Sequence, residues 1–213
     1  MVTDLAFSPD GRWLASASED GSAAVVALTD HGCATPRYLE PQAGILYSVA
    51  FAPDSQALVT ASLDAKAQVW ALDGTLLAEL VGHKDRIYAA KFSPDGRWLL
   101  TASRDGSVRI WMRPTAPSTL PEESFLSLAG ELGGVAYADF SPDGHSIGAA
   151  YWENATLLWR LWTEDTVRDR RLEAIWGRDR ARLALIREAE RFKNENRLDR
   201  RERDSEDAAP PVE

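Results

Sequence analysis

A pattern of about twenty residues that recurs four times constrains the fold of this chain more than any other feature. The copies begin at Phe7, Phe51, Phe92 and Phe140, at intervals of 44, 41 and 48 residues. The third copy reads FSPDGRWLLTASRDGSVRIW. A period in this range is typical of repeat architectures, in which each copy folds into one supersecondary unit and buries its faces against its neighbours.

The third copy and the residues just before it predict four short antiparallel strands. In the last of these, Val108, Ile110 and Met112 alternate with more polar positions. SPDG at 93–96 and RDG at 104–106 are turn sequences, because Pro presets a turn dihedral and Asp-Gly tolerates positive φ. The strands are expected at 75–80, 86–92, 98–103 and 107–112. Four strands per period with no helical pattern between them predict a propeller blade.

Gly82-His83, FSPDG, the SRDG turn and Ile110-Trp111 together resemble the Trp-Asp (WD) repeat of β-propellers. The resemblance covers residues 1–162 and implies an all-β fold of four WD-repeat blades, a propeller or a partial propeller of bacterial type. Residues 163–203 are predicted to form a charged amphipathic α-helix, and residues 204–213 a disordered tail.

The resemblance also implies a buried hydrogen-bond network of His83, Ser103, Asp105 and Trp111. A buried imidazole and a buried carboxylate are tolerated when each is hydrogen-bonded, which supports the assignment. A catalytic triad is not expected, since no sequence feature supplies an exposed nucleophile or an oxyanion hole. Three histidines without a cluster predict no metal site. We therefore expect a protein that is not an enzyme and has no cofactor.

The strand count predicts an open arc of blades. Fifteen strands are expected, because the fourth copy has no outer strand of its own. The outer faces of the first and fourth blades would then lack a neighbour, and apolar faces of that size favour association. Three arrangements remain open: the chain is the C-terminal portion of a longer propeller, two copies complete one ring, or another segment covers the open end.

The amphipathic segment is one candidate for that cover. Its apolar residues fall on one face at helical spacing. That face consists of Leu172, Ile175, Trp176, Leu183 and Ile186. Packing on the propeller and binding a partner are both open for it. The interleaved Asp and Glu cancel the positive field that phosphate binding requires, so nucleic acid is not expected as a partner.

Composition limits the partners and the cellular compartment that are expected for the protein. The net charge of −9 argues against general attraction to nucleic acid or to an anionic membrane. Cys33 is the only cysteine, which fits a reducing compartment. No apolar run approaches the ~20 residues that span a bilayer. A soluble, cytoplasmic protein without a membrane partner is predicted.

The function that best fits these features is a protein–protein interaction scaffold. Its binding residues are expected beside the turns that carry the His and Asp positions, where aromatic and Arg side chains are typical hot spots. The candidates are Tyr47, Tyr88, Arg104 and Trp152, followed by Lys84, Arg86, Glu19 and Leu63. The partner is expected to be another protein, or a second copy of the chain.

An alternative is a sensor or regulatory role within a larger signalling protein. GRWLAS-type strands and the ending LWRLWTEDT are similar to the C-terminal propellers of bacterial STAND-type ATPases and Ser/Thr kinases. The chain contains neither a P-loop nor a GxGxxG motif, so phosphoryl-transfer chemistry would lie outside it.

Overall fold

The computed structural model describes residues 1–30, 32–117, 124–129 and 132–161. Met1–Leu158 forms one compact unit, and a second unit begins at Trp159. Every regular secondary-structure element in the described residues is a β-strand. None of these residues forms a helix that could cross a membrane. The predicted helix at 163–203, its apolar face and the tail at 204–213 lie outside the described residues.

The first sheet contains three long strands and two short ones. These are β1 (Val2–Phe7), β2 (Trp13–Ser18), β3 (Ala23–Thr29), β4 (Gly32–Cys33) and β5 (Arg37–Tyr38). Both short strands pair with β3. Pro36 has no amide hydrogen to donate to a ladder, which accounts for a break where one outer strand was expected. The described residues therefore hold sixteen strands where the sequence predicts fifteen.

The second and third sheets each have four antiparallel strands in sequence order. The second contains β6 (Leu46–Phe51), β7 (Ala57–Ser62), β8 (Lys66–Ala71) and β9 (Leu76–Val81). The third contains β10 (Ile87–Phe92), β11 (Trp98–Ser103), β12 (Ser107–Met112) and β13 (Leu126–Ala129). The strand predicted at 75–80 is thus β9, the outer strand of the second sheet, and β13 completes the third.

The fourth sheet has three strands in the described residues. They are β14 (Val135–Phe140), β15 (Ser146–Tyr151) and β16 (Ala155–Arg160). These strands correspond to the three that the sequence predicts for the fourth blade. Ala150 and Leu158 on it are exposed.

The SPDG turns are stabilised by their own side chains. Ser93 Oγ donates to Asp95 Oδ1 at 2.6 Å and accepts the Trp98 amide at 2.9 Å. Asp95 Oδ1 also accepts the Arg97 amide at 3.1 Å. Gly96 has a φ of 69°, a left-handed conformation that glycine adopts without strain. The turn thereby sets the register between β10 and β11.

Successive sheets pack face to face through rows of large and small apolar side chains. In the second sheet, Phe51, Leu58 and Trp70 lie side by side on neighbouring strands and are 9%, 0% and 2% exposed. Ala15 and Val25 of the first sheet belong to the same core cluster. Phe92, Leu99 and Trp111 form the equivalent row in the third sheet and pack with Val59, Ala61, Ala67 and Val69 of the second. We refer to such a Phe-containing row as the incoming row of its sheet.

The incoming row of the first sheet is less buried than the other two: Phe7 is exposed, and Leu14 and Val26 are half-buried. It consists of Phe7, Leu14 and Val26, which pair in the same register. Phe7 is 68% exposed, whereas Phe51 is 9% exposed. Leu5, on the same strand, is 58% exposed. The first sheet therefore presents an apolar face like those that bury a neighbouring sheet elsewhere in the molecule.

Candidate functional site

A buried hydrogen-bond network lies at the turn end of the third sheet. Trp111 Nε1 donates to Thr101 Oγ1 at 2.8 Å, and Thr101 Oγ1 lies 2.7 Å from His83 Nε2. His83 Nδ1 lies 2.9 Å from Asp105 Oδ2. Because the ionised Asp105 carboxylate can only accept, the neutral imidazole carries its proton on Nδ1 and donates it to Asp105. His83 Nε2 is then an acceptor, so the Thr101 hydroxyl donates to it.

The hydroxyl in this network is that of Thr101, and the assignment of Ser103 is corrected. Trp111 pairs with Leu99 across the ladder, so Thr101 is its diagonal neighbour on the same face. Ser103 lies two residues farther along β11 and is out of reach of the indole. Its hydroxyl donates to the carbonyl of Asp85 at 2.8 Å and accepts the Asp105 amide at 3.1 Å, so Ser103 contacts the network only through the backbone of Asp105.

The electrostatics of the network favour a neutral imidazole beside an ionised carboxylate. Burial lowers the pKa of His83, and its hydrogen bond to Asp105 offsets this effect only in part. Burial alone would raise the pKa of Asp105. The hydrogen bonds from His83, Ser107 and the Lys84 amide outweigh burial and hold that pKa well below its usual range. The pair therefore stays hydrogen-bonded at neutral pH without a buried positive charge.

The second sheet has a shorter version of the same network. Gln42 occupies the His position, and its side-chain oxygen accepts the hydroxyl proton of Thr60. Trp70 Nε1 donates to Thr60 at 3.1 Å. Gln42 replaces the imidazole at the hydroxyl, but no hydrogen bond joins it to Asp64 in the described residues. Of these two sheets, only the third has the link from the strand hydroxyl to the turn carboxylate.

The network and its neighbours hold the turn that precedes β10. The Lys84 amide donates to Asp105 Oδ2 at 3.0 Å, and the Arg104 amide donates to the Arg86 carbonyl at 3.0 Å. Together with the bond from Ser103 to Asp85, these contacts attach three consecutive residues to β11 and its turn. The backbone that carries the charged side chains of this turn is therefore held rigidly by hydrogen bonds.

Three aromatic side chains from three consecutive sheets meet beside this turn. The rings of Tyr47 and Tyr88 lie 5.1 Å apart, centroid to centroid, with planes at 58°. The rings of Tyr88 and Trp152 lie 5.6 Å apart with planes at 66°. Both are favourable tilted or edge-to-face contacts. We call Tyr47, Tyr88 and Trp152 the aromatic group; Trp152 is its most accessible member, at 61% exposed.

Three cationic residues, which we call the basic group, border the aromatic group. They are Lys84, Arg86 and Arg104. Burial would lower the pKa of Arg86, but a hydrogen bond with Tyr47 and electrostatic interaction with Tyr47, Tyr88 and Asp85 raise it above its ordinary value. Arg104 Nε lies 3.9 Å from Asp85 Oδ2. The charged side chains thus lie next to the tyrosine rings.

Gly134, which precedes β14 of the fourth sheet, lies between the aromatic group and the basic group. Its carbonyl accepts the Trp152 amide at 3.0 Å. A Cβ atom at this position would lie 3.1 Å from the carbonyl oxygen of Arg104, so the absence of a side chain permits this close approach. Gly134 and Asp85 were not singled out from the sequence. The glycine pair at 133–134 ahead of a strand is the signal that could have indicated such an approach.

The other two candidates do not join this surface by any described ring contact or ion pair. Glu19 lies 3.6 Å from the N-terminal amino group. Leu63 packs against Gly44, where a Cβ atom would meet its side chain at 3.1 Å. They occupy the equivalent turns of the first and second sheets.

The arrangement offers little for catalysis or metal binding. Thr101 is fully buried, and Ser107 is 7% exposed, so neither hydroxyl near His83 is presented to a substrate. Within the described part of the chain, no group of three or more His, Cys, Asp or Glu side chains could hold a metal ion. The chemistry of the exposed surface is that of contact: aromatic faces, guanidinium groups and an ammonium group.

Comparison with known families finds a similarity for the repeat. Residues 1–25, 37–71 and 74–112 match the family model of the WD domain, G-beta repeat. The first three copies are thus similar to WD repeats. The fourth copy, which begins at Phe140, lies outside these matches. No curated protein matches the chain. WD repeats typically mediate protein–protein interaction, and WD-repeat proteins are generally non-catalytic scaffolds.

Proposed function

We propose that this chain is a non-catalytic interaction scaffold of four WD-repeat blades and that the aromatic and basic groups bind its protein partner. The observation that carries the proposal is the meeting of Tyr47, Tyr88 and Trp152 from three different sheets. Tyr, Trp and Arg are the side chains most enriched at binding hot spots. Here aromatic and arginine side chains occur side by side.

The exposure of Trp152 supports binding over a purely structural role. The strand tryptophans Trp70, Trp111 and Trp159, which occupy a different position of the repeat, are 2%, 0% and 2% exposed. Trp152 leaves most of its large apolar surface in contact with water, although Tyr88 covers one edge. Covering this indole with a partner would remove apolar area from water at about 25 cal/mol per Å².

A peptide-display selection tests the proposal. Immobilised chain is used to select from a random library of roughly 12-residue peptides, long enough for one extended segment to cross two sheets. We expect selected peptides to lose binding when Trp152 is replaced by Ala. Tyr38→Ala is the matched control, because Tyr38 is an aromatic residue on β5 with 71% exposure. Peptides that bind wild type and Trp152→Ala equally would contradict the proposal.

A regulatory role in a larger signalling protein is the second candidate, and one observation favours it. The incoming row of the first sheet is exposed at Phe7, whereas the same row is buried between sheets elsewhere. Such a face fits a further blade or a neighbouring domain. The cytoplasmic location stays part of the proposal, supported by the single cysteine, and the bacterial type stays part of it on the resemblance of the GRWLAS-type strands.

Site-specific photocrosslinking in cells separates the two candidates. A photoreactive residue at position 7 should crosslink to an ATPase or kinase protein, or to a further blade, if the regulatory role holds. A crosslink to a second copy would instead support self-association. If crosslinks form at position 152 and not at position 7, the scaffold role is favoured.

A further inference from the structure

Two apolar sheet faces are exposed, one on the first sheet and one on the fourth. On the first sheet, Phe7 and Leu5 are exposed. On the fourth sheet, Tyr137 and Leu158 are 47% and 46% exposed, and a Cβ atom at Gly148 would meet no atom within 4 Å. Neither face is therefore covered by the other within the described residues.

The two faces correspond to the two sides of the contact that joins neighbouring sheets. Between the first and second sheets, the incoming row of the second packs against smaller side chains of the first, which are Ala15, Ala17 and Val25. Counted from the shared Phe, the same positions of the fourth sheet are Gly148, Ala150 and Leu158. We call these three residues the receiving row of the fourth sheet. In the described residues, the incoming row of the first sheet has no receiving row against it, and the receiving row of the fourth sheet has no incoming row against it.

Charge is sparse on both faces. The side chains in register on the face of the first sheet are uncharged: Leu5, Phe7, Leu14, Ser16, Ala24 and Val26. The strands of the fourth sheet place two residues of opposite sign, Asp139 and Arg160, on the face of the receiving row. The same position as Asp139 is Lys91 in the third sheet, where it is half-buried with its ammonium group 5.8 Å from the centroid of the Tyr137 ring. A charged side chain at this position is therefore compatible with contact between sheets.

A second copy of the chain can cover both faces, because it carries both rows. A single segment of another protein would cover one face only. Three strands of six residues cover about 20 Å by about 14 Å, so two such contacts in a dimer would bury roughly 1,100 Å² in total. This area lies at the low end for specific complexes. Two copies would hold eight blades, and propellers typically have four to eight.

We infer that two copies of the chain associate head to tail, with the incoming row of each first sheet on the receiving row of the other copy's fourth sheet. Such a contact closes with two copies when each supplies both rows. The inference goes beyond the proposed function, because it involves neither the aromatic group nor the basic group. The small area predicts weak association, so the chain at ~1 µM is monomeric with Phe7 exposed.

The net charge sets the salt dependence of this association. Each copy has a net charge of −9, so two copies repel each other at long range. The attraction comes from apolar faces, which salt does not screen, whereas salt does screen the repulsion. The dimer should therefore become tighter as NaCl rises from ~50 to ~300 mM.

Light scattering after size exclusion, on the full chain loaded at ~1 to ~200 µM, measures the association. We expect the mass of wild type to rise from that of the monomer to twice that value. Phe7→Glu and Leu158→Glu should stay monomeric, because each places a charge in an apolar contact. Met112→Glu is the matched control and should behave as wild type, since Met112 is an exposed apolar residue at the end of β12 and lies on neither face. Thermal melts at ~1 µM should match for all four proteins, because the three substituted residues are exposed.

Crosslinking between two single-cysteine chains tests the head-to-tail direction. Cys33 is exposed, so both chains carry Cys33→Ser. One chain carries Phe7→Cys and the other Gly148→Cys, and they are mixed at ~200 µM with a bismaleimide that spans roughly 10 Å, the spacing of packed sheets. We expect crosslinked dimers in the mixture and none from either chain alone. Dimers from the Phe7→Cys chain alone would mean that two first sheets meet, which overturns the inference.

The other outcomes also decide the matter. A chain that stays monomeric at ~200 µM, or a mass that grows beyond twice that of the monomer, would overturn the inference. So would a dimer that persists in Phe7→Glu. The scaffold proposal depends instead on peptides that require Trp152, so either proposal can fail while the other stands.

Discussion

His83→Gln is the substitution that most directly tests the hydrogen-bond network of the third sheet. The molecule contains its own precedent, since Gln42 occupies the same position in the second sheet and accepts from Thr60. A glutamine at position 83 can likewise accept from Thr101 and so keep the bond to the strand. It lacks the ring nitrogen that donates to Asp105. The substitution therefore removes one link and retains the other.

The expected magnitude follows from that lost link. The His83 side chain is 0% exposed and that of Asp105 is 9% exposed, so water does not replace the bond freely. A hydrogen bond to a charged group contributes about 1.5–3 kcal/mol, and Asp105 keeps its bonds from Ser107 and from the Lys84 amide. We expect His83→Gln to lower the free energy of unfolding by about 2 kcal/mol at neutral pH.

The pH dependence has a definite sign. The pKa of His83 is lowered from its ordinary value of 6.5 in the folded chain. Below that value the unfolded chain binds a proton that the folded chain resists, so wild-type stability falls as the pH falls, by at most about 1.4 kcal/mol per pH unit. His83→Gln lacks this titration. The gap in stability between the two proteins should therefore narrow as the pH falls from about 7.5 to about 5.5.

Urea denaturation followed by tryptophan fluorescence, at both pH values, measures this gap. The two proteins differ only at position 83, so contributions from the rest of the chain cancel in the difference. Gln42→His is the reciprocal variant, which should add acid sensitivity if its imidazole pairs with Asp64. If His83→Gln were as stable as wild type, or if the gap stayed constant with pH, the assigned network would be wrong.

Two further predictions concern contacts between sheets. Phe7→Ala should change the free energy of unfolding by less than about 0.5 kcal/mol, because Phe7 is 68% exposed, whereas Phe92→Ala, at 8% exposed, should cost about 3–5 kcal/mol. Equal costs in urea denaturation would mean that the first incoming row is covered in solution. Arg113 donates to Asp54 across two sheets at 2.8 and 3.2 Å, so Arg113→Ala should cost about 1 kcal/mol. Arg12→Ala is the control, with an ion pair inside its own turn, and a loss as large as that for Arg113→Ala would refute a role for the cross-sheet pair.

The strands of the third copy were predictable because several local signals agree. Strand alternation and the two turn sequences place β11 and β12 at their observed bounds and β9 and β10 within one residue of theirs. The split of the outer strand in the first sheet was not predicted. It depends on how residues near Pro36 meet β3, and the repeat pattern carries no information about that edge.

The candidate surface was predictable by residue type and only partly by geometry. Tyr47 and Tyr88 occupy the same position in neighbouring copies, so their contact follows from the repeat itself. Trp152 belongs to a different position, and its contact with Tyr88 depends on the angle between two sheets. Ser103 was assigned to the network because it precedes the turn. Cross-strand register decides between two hydroxyls on one face, and it selects Thr101.

The corrected role of Ser103 connects the buried network to the exposed surface. Its hydroxyl holds the carbonyl of Asp85, while the Asp105 carboxylate, itself bound by His83, holds the amide of Lys84. The residues that keep the third sheet in register therefore also set the positions of the basic group. A binding surface on such a base is preorganised, so little conformational entropy is lost when a partner binds. In the third sheet the hydrogen-bond network extends to the turn carboxylate, and the three cations of the candidate surface lie in the turns that adjoin this sheet.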